Sequence, residues 1–262
     1  MDDLHDYYSA ACRVVTRARE QLLNGLSATG PEVGVLDKGN SDFQTSLDVD
    51  IEQDIRDYLT HRFPDHSIVG EELANVVGES ELTWYVDPID GTHNLMMGRP
   101  EIAISVALYQ GDCPLVAIID LPMRNQTFSA YAHDQISPPR RVRDQHKRRV
   151  LVGIPGEFAE PADRSRLSRL LAEMKAPLGL RCTGALAYDL ATMLSGELDA
   201  RVSFSAKSVD VAAGAALLQF AGCIVTNLDG TPFQPWSGNI AASWTPELHK
   251  WLLTILNEET HS

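Results

Sequence analysis

The sequence contains few cysteines and no long apolar segment, and these two absences exclude several classes of protein. Its four cysteines among 262 residues are scattered and show no Cys-x-x-Cys spacing. We therefore expect them to pack as small apolar side chains, without a zinc site and without a requirement for an oxidising compartment. The longest apolar stretch, 211–225, is interrupted by Gln219 and is too short to cross a bilayer, so no membrane partner is expected.

Basic residues are also scarce. The chain has 22 Lys and Arg residues against 36 Asp and Glu residues, which gives a formal net charge of −14. A nucleic-acid-binding protein would carry a basic surface, so nucleic acid is not an expected partner. The acidic N-terminus is unlike a signal peptide, and a cytoplasmic location is expected. A phosphorylated ligand stays possible, because bound metal ions can reverse the local sign of the charge.

Helices and strands are predicted along the whole chain, whose 44% hydrophobic and 22% charged residues are typical of a globular protein. Apolar residues at helical spacing predict helices over 4–26 and 48–63, with a loop that contains 38–42 between them. Strands in the first half are predicted at 67–69, 83–86, 102–109, 115–120 and 126–131. The second half alternates more regularly and ends in a predicted helix over 245–256.

This pattern predicts an α/β protein in two parts. An α+β half over 1–150 would carry the first acidic motifs, and an α/β half over 151–262 would follow, in one compact unit. The stretch from Arg140 to Arg149 is polar and basic. We interpret it as a solvated loop, with binding of a negatively charged partner or ligand as the alternative.

The segment Asp87-Pro88-Ile89-Asp90-Gly91-Thr92 combines metal ligands with a phosphate site. Two carboxylates three residues apart, with a backbone carbonyl between them, are ligands that Mg²⁺ prefers. Amides at the start of a helix bind phosphate, and the preceding strand is expected to end at Val86 because Pro88 stops its ladder. The segment therefore predicts metal-assisted hydrolysis of a phosphate ester. For this segment alone, the simpler interpretation is that Asp90 caps a helix.

Three other acidic positions strengthen the metal hypothesis. Glu71 follows a short predicted strand, Asp210 begins a strongly apolar helix, and Asp48 lies at the start of the second helix, with Lys38 upstream. Taken one at a time, these carboxylates have simple structural interpretations as a solvated turn or as helix caps. Taken together, they supply the remaining oxygen ligands that a metal-dependent phosphatase requires.

The order of these motifs resembles the inositol monophosphatase family of Mg²⁺-dependent, lithium-sensitive phosphatases. The matching segments are Lys38 with Asp42 to Asp48, Gly70-Glu71-Glu72, Trp84 to Asn94, Gly184-Ala185, and Val209 to Gly214 with Ala221-Gly222. The resemblance covers roughly 38–230. It implies a layered αβαβα sandwich of the sugar-phosphatase type, with the site between the two halves of the chain. It also implies a homodimer and two to three Mg²⁺ ions in each site.

The resemblance also implies roles for individual residues. The first ion would bind Glu71, Asp87 and the Ile89 carbonyl, the second would bind Asp87, Asp90 and Asp210, and a third, weaker ion would lie near Glu71. A water molecule activated by the metal would attack phosphorus. Thr92 and Asp48 would orient this water and accept its proton with help from Glu71, while Lys38 would balance charge. The residues implied to contact substrate are Asp90, Gly91, Thr92, Gly184, Ala185, Ser203 and Asp210.

Several substrate-side positions depart from the family pattern. Ser203 stands where inositol-selective members carry a Glu, Val209 stands where many members carry a Trp, and Ala185 stands beside the substrate-side glycine in place of a hydroxyl residue. The substrate is therefore expected to be a small phosphorylated alcohol or sugar. Inositol 1-phosphate, histidinol phosphate, a sugar (bis)phosphate and a 3′-phosphonucleotide stay open. A different alternative is a catalytically silent protein that binds a phospho-ligand or a partner.

Overall fold

The structure, a computed structural model, describes residues 2–29, 35–39, 42–133, 136, 150–156, 160–173 and 178–257. The helices are α1 (Asp2–Thr29), α2 (Ser46–Arg62), α3 (Thr92–Met96), α4 (Pro161–Glu173), α5 (Leu186–Leu194), α6 (Ser208–Phe220) and α7 (Pro246–Asn257). Over these described segments, none of the helices has both the length and the hydropathy that a membrane crossing requires. The basic stretch over 140–149 lies outside the described residues.

The strands form two five-stranded mixed sheets and a separate two-stranded pair. The pair is β1 (Val35–Gly39) with β2 (Asp42–Thr45). The first sheet has the order β3 (Ser67–Gly70), β4 (Leu82–Asp90), β5 (Ala103–Gln110), β6 (Cys113–Leu121) and β7 (Gln126–Tyr131). The second sheet has the order β11 (Ile224–Thr226), β12 (Ile240–Ser243), β10 (Ala200–Ser203), β8 (Val150–Gly153) and β9 (Leu178–Arg181).

Three hydrophobic clusters show how the helices and sheets are layered. The first cluster lies between one face of the first sheet and the helices α1 and α2. The second cluster lies between the other face of the first sheet, the helices α5 and α6, and the second sheet. The third cluster lies between the second sheet and the helices α4 and α7. Neighbouring residues on β6 belong to different clusters: Ile118 faces α1 and Ile119 faces α6, as the two-residue period of a strand requires. The predicted αβαβα sandwich is confirmed.

The middle helical layer is the most apolar part of the protein because it is covered on both sides. All nine residues of α5 are buried, and α6 is buried along most of its length. The two helices approach closely at Gly214, where a Cβ atom would lie 2.5 Å from Leu190 Cδ1. This close packing explains why the helix that follows Asp210 carries almost no polar residues.

The expectation that all four cysteines pack as small apolar side chains is wrong for Cys113 and Cys182, which are exposed. Two predictions of local backbone structure are also wrong. The segment 38–42 was expected to be a loop, but β1 and β2 form an antiparallel pair with Val35 opposite Thr45. Pro88 was expected to end its strand, but β4 continues to Asp90. Asp87 pairs with Ser105 and Asp90 pairs with Ala103, so two residues oppose one, as in a β-bulge. The bulge accommodates the missing N–H of proline.

A buried histidine in the first half predicts a pH dependence of stability. The Trp84 indole N–H donates to His66 Nδ1 at 3.0 Å, and burial lowers the pKa of His66 against the opposing charge of Asp65. A lowered histidine pKa gives stability that is complete above the unfolded value of about 6.5 and is lost as the pH falls towards the folded value. Urea unfolding at pH 7.5 and 5.5 should therefore show a smaller pH dependence in His66→Gln than in the wild type. An unchanged pH dependence would contradict this.

Candidate metal centre and active site

Three carboxylates from distant parts of the sequence meet at one edge of the first sheet. Glu71 follows the last residue of β3, Asp87 lies on β4, and Asp210 lies in the first turn of α6. Strands β3 and β4 are parallel with Gly70 opposite Val86, which places Glu71 beside Asp87. Oxygen atoms of the three side chains lie within 4.8 Å of one another. Each carboxylate was predicted from the sequence as a metal ligand.

Asp87 is at the centre of this group and is the least compensated of the three. Its side chain is buried, Oδ1 accepts from the Ile89 amide at 3.0 Å, and within the described residues Oδ2 has no hydrogen-bond donor. Burial, followed by the charges of Glu71, Asp90 and Asp210, raises the pKa of Asp87 well above its ordinary value.

This arrangement fits a hard divalent cation. Burying several like charges together is unfavourable unless a positive charge compensates them. All the donors are oxygen atoms, which Mg²⁺ and Ca²⁺ prefer and which zinc sites in proteins less often use alone. The pKa of Asp210 is likewise raised, first by burial and then by the charges of Glu71 and Asp90. The residues present therefore fit the ion that the sequence predicted.

Asp90 lies beside this group and also makes a separate contact. Its Oδ1 accepts from the Leu186 amide at 3.0 Å and its Oδ2 accepts from the Tyr188 amide at 2.9 Å, so its carboxylate caps the N-terminus of α5. Burial, opposed by these amides, raises the pKa of Asp90 to about 7. Asp90 is not the cap of the helix that follows it in sequence, because Gly91 occupies that position.

Gly91 and Thr92 connect the centre to the start of α2. Gly91 has φ of 89°, and a Cβ atom there would lie 2.7 Å from the Glu101 carbonyl oxygen, so both backbone conformation and space favour glycine. Thr92 Oγ1 lies 3.0 Å from Asp48 Oδ1 and 3.1 Å from the Ile89 carbonyl oxygen. The hydroxyl can donate to only one of these two acceptors at a time.

Asp48 is completely buried at the beginning of α2. Its Oδ2 accepts from the Thr45 amide at 3.0 Å and from the Thr45 hydroxyl, while the Asp48 amide donates to Thr45 Oγ1 at 3.4 Å. This reciprocal pair is a capping box. Burial raises the pKa of Asp48, although hydrogen bonds from Thr45 and Thr92 oppose the shift. Asp48 is therefore an acceptor with one oxygen used by the cap and the other facing Thr92.

The predicted substrate-side turn packs directly against the segment that was predicted to bind phosphate. Gly184 has φ of 80°, and a Cβ atom on Gly91 would lie 3.0 Å from Ala185 Cβ. Asn94, in the same motif as Gly91, donates to the Thr183 carbonyl oxygen at 2.9 Å. Ser203 is buried at the last residue of β10, opposite Ile240. Among these positions, the turn at Gly184 is brought against Gly91, whereas Ser203 lies on the second sheet.

Sequence reasoning missed three charged residues around Glu71. Lys207 Nζ donates to Glu71 Oε1 at 2.8 Å, and Glu52 accepts from the Glu71 amide at 3.0 Å. Arg56 pairs with Glu52. The spacing of Glu52 and Arg56, one turn apart on a helix, was the available signal. For Lys38, the structure describes the backbone within β1 and not the side chain.

The fold and this centre together define a class: an αβαβα sandwich with an all-oxygen acidic metal site. A family model described as the inositol monophosphatase family matches residues 3–261. The chain belongs to the inositol monophosphatase family, and the resemblance noted in its motifs is confirmed.

Two curated relatives differ in the function that their names state. The chain is 30% identical over 243 residues to the fructose-1,6-bisphosphatase/inositol-1-monophosphatase of Aquifex aeolicus, with 89% of each chain covered. It is 28% identical over 271 aligned positions to the Nus factor SuhB of Vibrio cholerae, which covers 99% of this chain and 98% of that protein.

Solved structures share the fold over nearly their whole length. The inositol monophosphatase of Anabaena has a TM-score of 0.79 at 24% identity and covers 97% of this chain and 96% of its own. An IMPase/NADP phosphatase complexed with Mg²⁺ and phosphate has a TM-score of 0.80 at 19% identity, with 98% and 97% covered. At these identities, the likeness establishes the fold.

Proposed function

We propose that this protein is a Mg²⁺-dependent phosphomonoesterase that acts on a small phosphorylated alcohol or sugar. The observation that carries this proposal is the group formed by buried Asp87 with the partly exposed Glu71 and Asp210, in which Asp87 Oδ2 has no donor among the described residues. The adjoining turn and helix start at Gly91-Thr92 offer backbone amides to a phosphate group. Membership of the family and the Mg²⁺ and phosphate of one structural neighbour support the same chemistry.

The proposed ligands follow the family pattern. Glu71, Asp87 and the Ile89 carbonyl would hold one ion, and Asp87, Asp90 and Asp210 would hold a second, with a third, weaker ion near Glu71. When bound, the ions would lower the pKa of water and neutralise charge on the phosphate oxygens. Asp90 would bind the second ion while also capping α5, because each carboxylate oxygen has two lone pairs and can make more than one contact.

Asp48 and Thr92 are the proposed proton-handling residues. The Thr92 hydroxyl would orient the attacking water, and Asp48 would accept the proton through this hydroxyl, 3.0 Å away, with Glu71 assisting. Burial raises the pKa of Asp48, and a raised pKa makes a carboxylate a better proton acceptor near neutral pH. The amides of Gly91 and Thr92 would hold the non-bridging oxygens, and Lys38 would balance charge.

The substrate-side residues favour a substrate other than myo-inositol phosphate. Few groups that could form hydrogen bonds with the ring hydroxyls are present at Ser203, at Val209 and in the turn at Gly184-Ala185. Histidinol phosphate, a sugar (bis)phosphate and a 3′-phosphonucleotide are the alternatives to inositol 1-phosphate, and the name of the Aquifex relative includes both a sugar bisphosphate and an inositol monophosphate. We further propose that the protein is a cytoplasmic homodimer without a nucleic-acid partner. Each subunit would consist of two halves, 1–150 and 151–262.

Phosphate release tests the proposed reaction. We expect hydrolysis of a generic aryl phosphate with Mg²⁺ and none with EDTA. Asp90→Asn should lose far more than threefold in kcat at saturating Mg²⁺, whereas the exposed Asp112→Asn should match the wild type. An Asp90→Asn enzyme within about threefold of wild type, well under 1.4 kcal/mol, would contradict the assignment.

A panel of esters then identifies the substrate. Inositol 1-phosphate, histidinol phosphate, fructose 1,6-bisphosphate and 3′-phosphoadenosine 5′-phosphate would be ranked by kcat/KM. A wide lead for inositol 1-phosphate would show that Ser203 does not determine the choice of substrate.

A role as a Nus factor is the second candidate, because the Vibrio cholerae relative of that name matches nearly the full length. The two candidates differ in their need for the metal centre. If the protein acts as a Nus factor, this role does not need the metal centre. Both the wild type and Asp87→Asn should then restore growth of a Vibrio cholerae strain that lacks its SuhB. Restoration by the wild type alone would favour the enzyme, and restoration by neither would reject the Nus role in that host.

A further inference from the structure

A buried ion pair lies directly behind the loop that carries Glu71. Glu52 and Arg56 are one turn apart on α2, their side chains are 0% and 6% exposed, and Arg56 Nε donates to Glu52 Oε1 at 2.7 Å. Removing two charges from water is costly, and their mutual attraction offsets the cost only when further hydrogen bonds satisfy both groups. The remaining partners of the pair therefore indicate what it does.

The Glu52 carboxylate binds three successive backbone amides of the loop. Oε2 accepts from the Glu71 amide at 3.0 Å and from the Glu72 amide at 2.7 Å, and Oε1 accepts from the Leu73 amide at 3.1 Å. Consecutive amides that point to one side form an anion-binding concavity. Here the bound anion is a side chain of the protein itself.

Arg56 binds the same loop through its carbonyl groups. Its guanidinium donates to the Leu73 oxygen at 3.0 Å and to the Ala74 oxygen at 2.7 Å. Within the described residues, the side-chain hydrogen bonds of Arg56 go to Glu52 and to this loop alone. Both charges of the pair are thus satisfied by the backbone of 71–74 and by each other.

Gly70 provides independent support for this arrangement. A Cβ atom at Gly70 would lie 2.0 Å from Glu52 Oε1 and 2.5 Å from Arg56 Nη2, so another residue would displace the pair. The glycine is required by this close approach and not by its backbone conformation. The end of β3, the loop and the ion pair therefore fit together as one unit.

We propose that Glu52 and Arg56 are positioning residues that fix the backbone of Glu71 and so set the affinity of the centre for Mg²⁺. The Glu71 side chain belongs to the acidic group, while its amide is bound to Glu52 on the opposite side. The loop begins where β3 ends, so the sheet ladder no longer holds it beyond Gly70. Partners behind a ligand set its orientation, and their loss typically lowers metal affinity 10- to 100-fold. This inference rests on the proposed Mg²⁺-dependent function.

The test compares Mg²⁺ affinity with catalysis at saturating Mg²⁺. Glu52→Gln keeps the shape of the side chain but replaces one accepting oxygen with an amide NH₂ group, a donor that faces the backbone amides. The dissociation constant for Mg²⁺, obtained without substrate by fitting the rise of Tm with Mg²⁺ concentration to the stabilisation RT ln(1 + [Mg²⁺]/Kd), should increase at least about tenfold. At saturating Mg²⁺, kcat should return to within about threefold of the wild type, because Glu52 does not contact the reacting atoms.

Two further variants keep the test decisive. Asp54→Asn removes an acid from the same helix, at an exposed ion pair with Arg17, and should leave Mg²⁺ affinity unchanged. Arg56→Lys keeps the charge but loses the forked contacts to the loop, so it should weaken Mg²⁺ binding even if Glu52→Gln fails to fold.

The outcomes separate this inference from the proposed function. A lower Tm with wild-type Mg²⁺ affinity in the folded variants would overturn the positioning role and leave the pair as a stabilising element. A kcat that high Mg²⁺ does not restore would also overturn it. If the wild type itself shows no Mg²⁺-dependent change in Tm, the proposed metal-dependent function fails, and the inference fails with it.

Discussion

Asp87→Asn should abolish phosphatase activity while making the metal-free protein more stable. Asparagine keeps the acceptor for the Ile89 amide but removes a buried charge that has no donor at Oδ2 within the described residues. With one ligand common to both proposed ions gone, kcat/KM should fall by at least about a thousandfold, or about 4 kcal/mol. The same substitution relieves the repulsion that Asp87 shares with Glu71 and Asp210.

The stability gain should depend on pH. The folded protein holds the pKa of Asp87 above its unfolded value, so the metal-free wild type loses stability as the pH rises through the folded pKa. In EDTA, the difference in the free energy of unfolding between Asp87→Asn and the wild type should therefore be larger at pH 8 than at pH 5. The increase should be about 1.4 kcal/mol for each unit by which the pKa is shifted within this pH range. Thermal unfolding of both proteins at the two pH values measures it.

A matched surface substitution gives the reference for both effects. Asp50 is exposed on α2, and Asp50→Asn should change neither kcat/KM nor the pH dependence of Tm. If metal-free Asp87→Asn is less stable than the wild type at pH 8, the acidic group does not carry the electrostatic cost that its burial indicates. Added Mg²⁺ should raise the Tm of the wild type and leave that of Asp87→Asn nearly unchanged.

Asp48→Asn should lower kcat by about 100- to 10,000-fold, the usual contribution of a positioned proton acceptor. The substitution keeps the size of the side chain and an acceptor for the Thr45 amide, but it removes the basic oxygen that faces Thr92. Steady-state kinetics at saturating Mg²⁺ measure the loss. Mg²⁺ affinity should change little, since Asp48 is not among the proposed ligands.

Thr45→Val separates the structural role of Asp48 from its chemical role. It removes the hydroxyl of the capping box and leaves both Asp48 and Thr92 in place. We expect a loss of about 1 kcal/mol in the free energy of unfolding and less than a tenfold change in kcat. If Thr45→Val lowers kcat as much as Asp48→Asn does, the cap and not the proton acceptor explains the effect of Asp48.

The acidic group could be predicted from the sequence because its chemistry is local. Glu71 directly follows a strand and Asp210 lies in the first turn of a helix, so hydrophobic periodicity places both at the end of an element. Asp87 was expected just after a strand and instead lies within β4. For the same reason, the boundaries of most predicted helices and strands lie within a few residues of the observed ones, whereas β12 was not predicted. The bulge at Pro88 was missed because proline normally ends a strand, whereas here β5 pairs across it.

Contacts between distant segments could not be predicted. Asp90 was predicted as a metal ligand, but only the fold shows that both of its oxygens accept from amides of α5, 96 and 98 residues away. Lys207 reaches Glu71 across 136 residues, and its basic charge alone carried no signal. Neither contact leaves a periodic pattern in the sequence, because each joins two elements whose approach is set by packing of the middle helical layer.

The order of short motifs in the sequence was enough to predict the family and the oxygen-rich chemistry of the centre, and the αβαβα layering was implied by the resemblance to that family. Apolar periodicity predicted the individual helices and strands. Only the tertiary structure decided how Glu71 is held. Its backbone is fixed by the buried Glu52–Arg56 pair, and its carboxylate is brought to Asp87 by the parallel pairing of β3 with β4. The physical reason is that buried charges require partners, and the fold supplies those partners from segments that the linear sequence keeps apart.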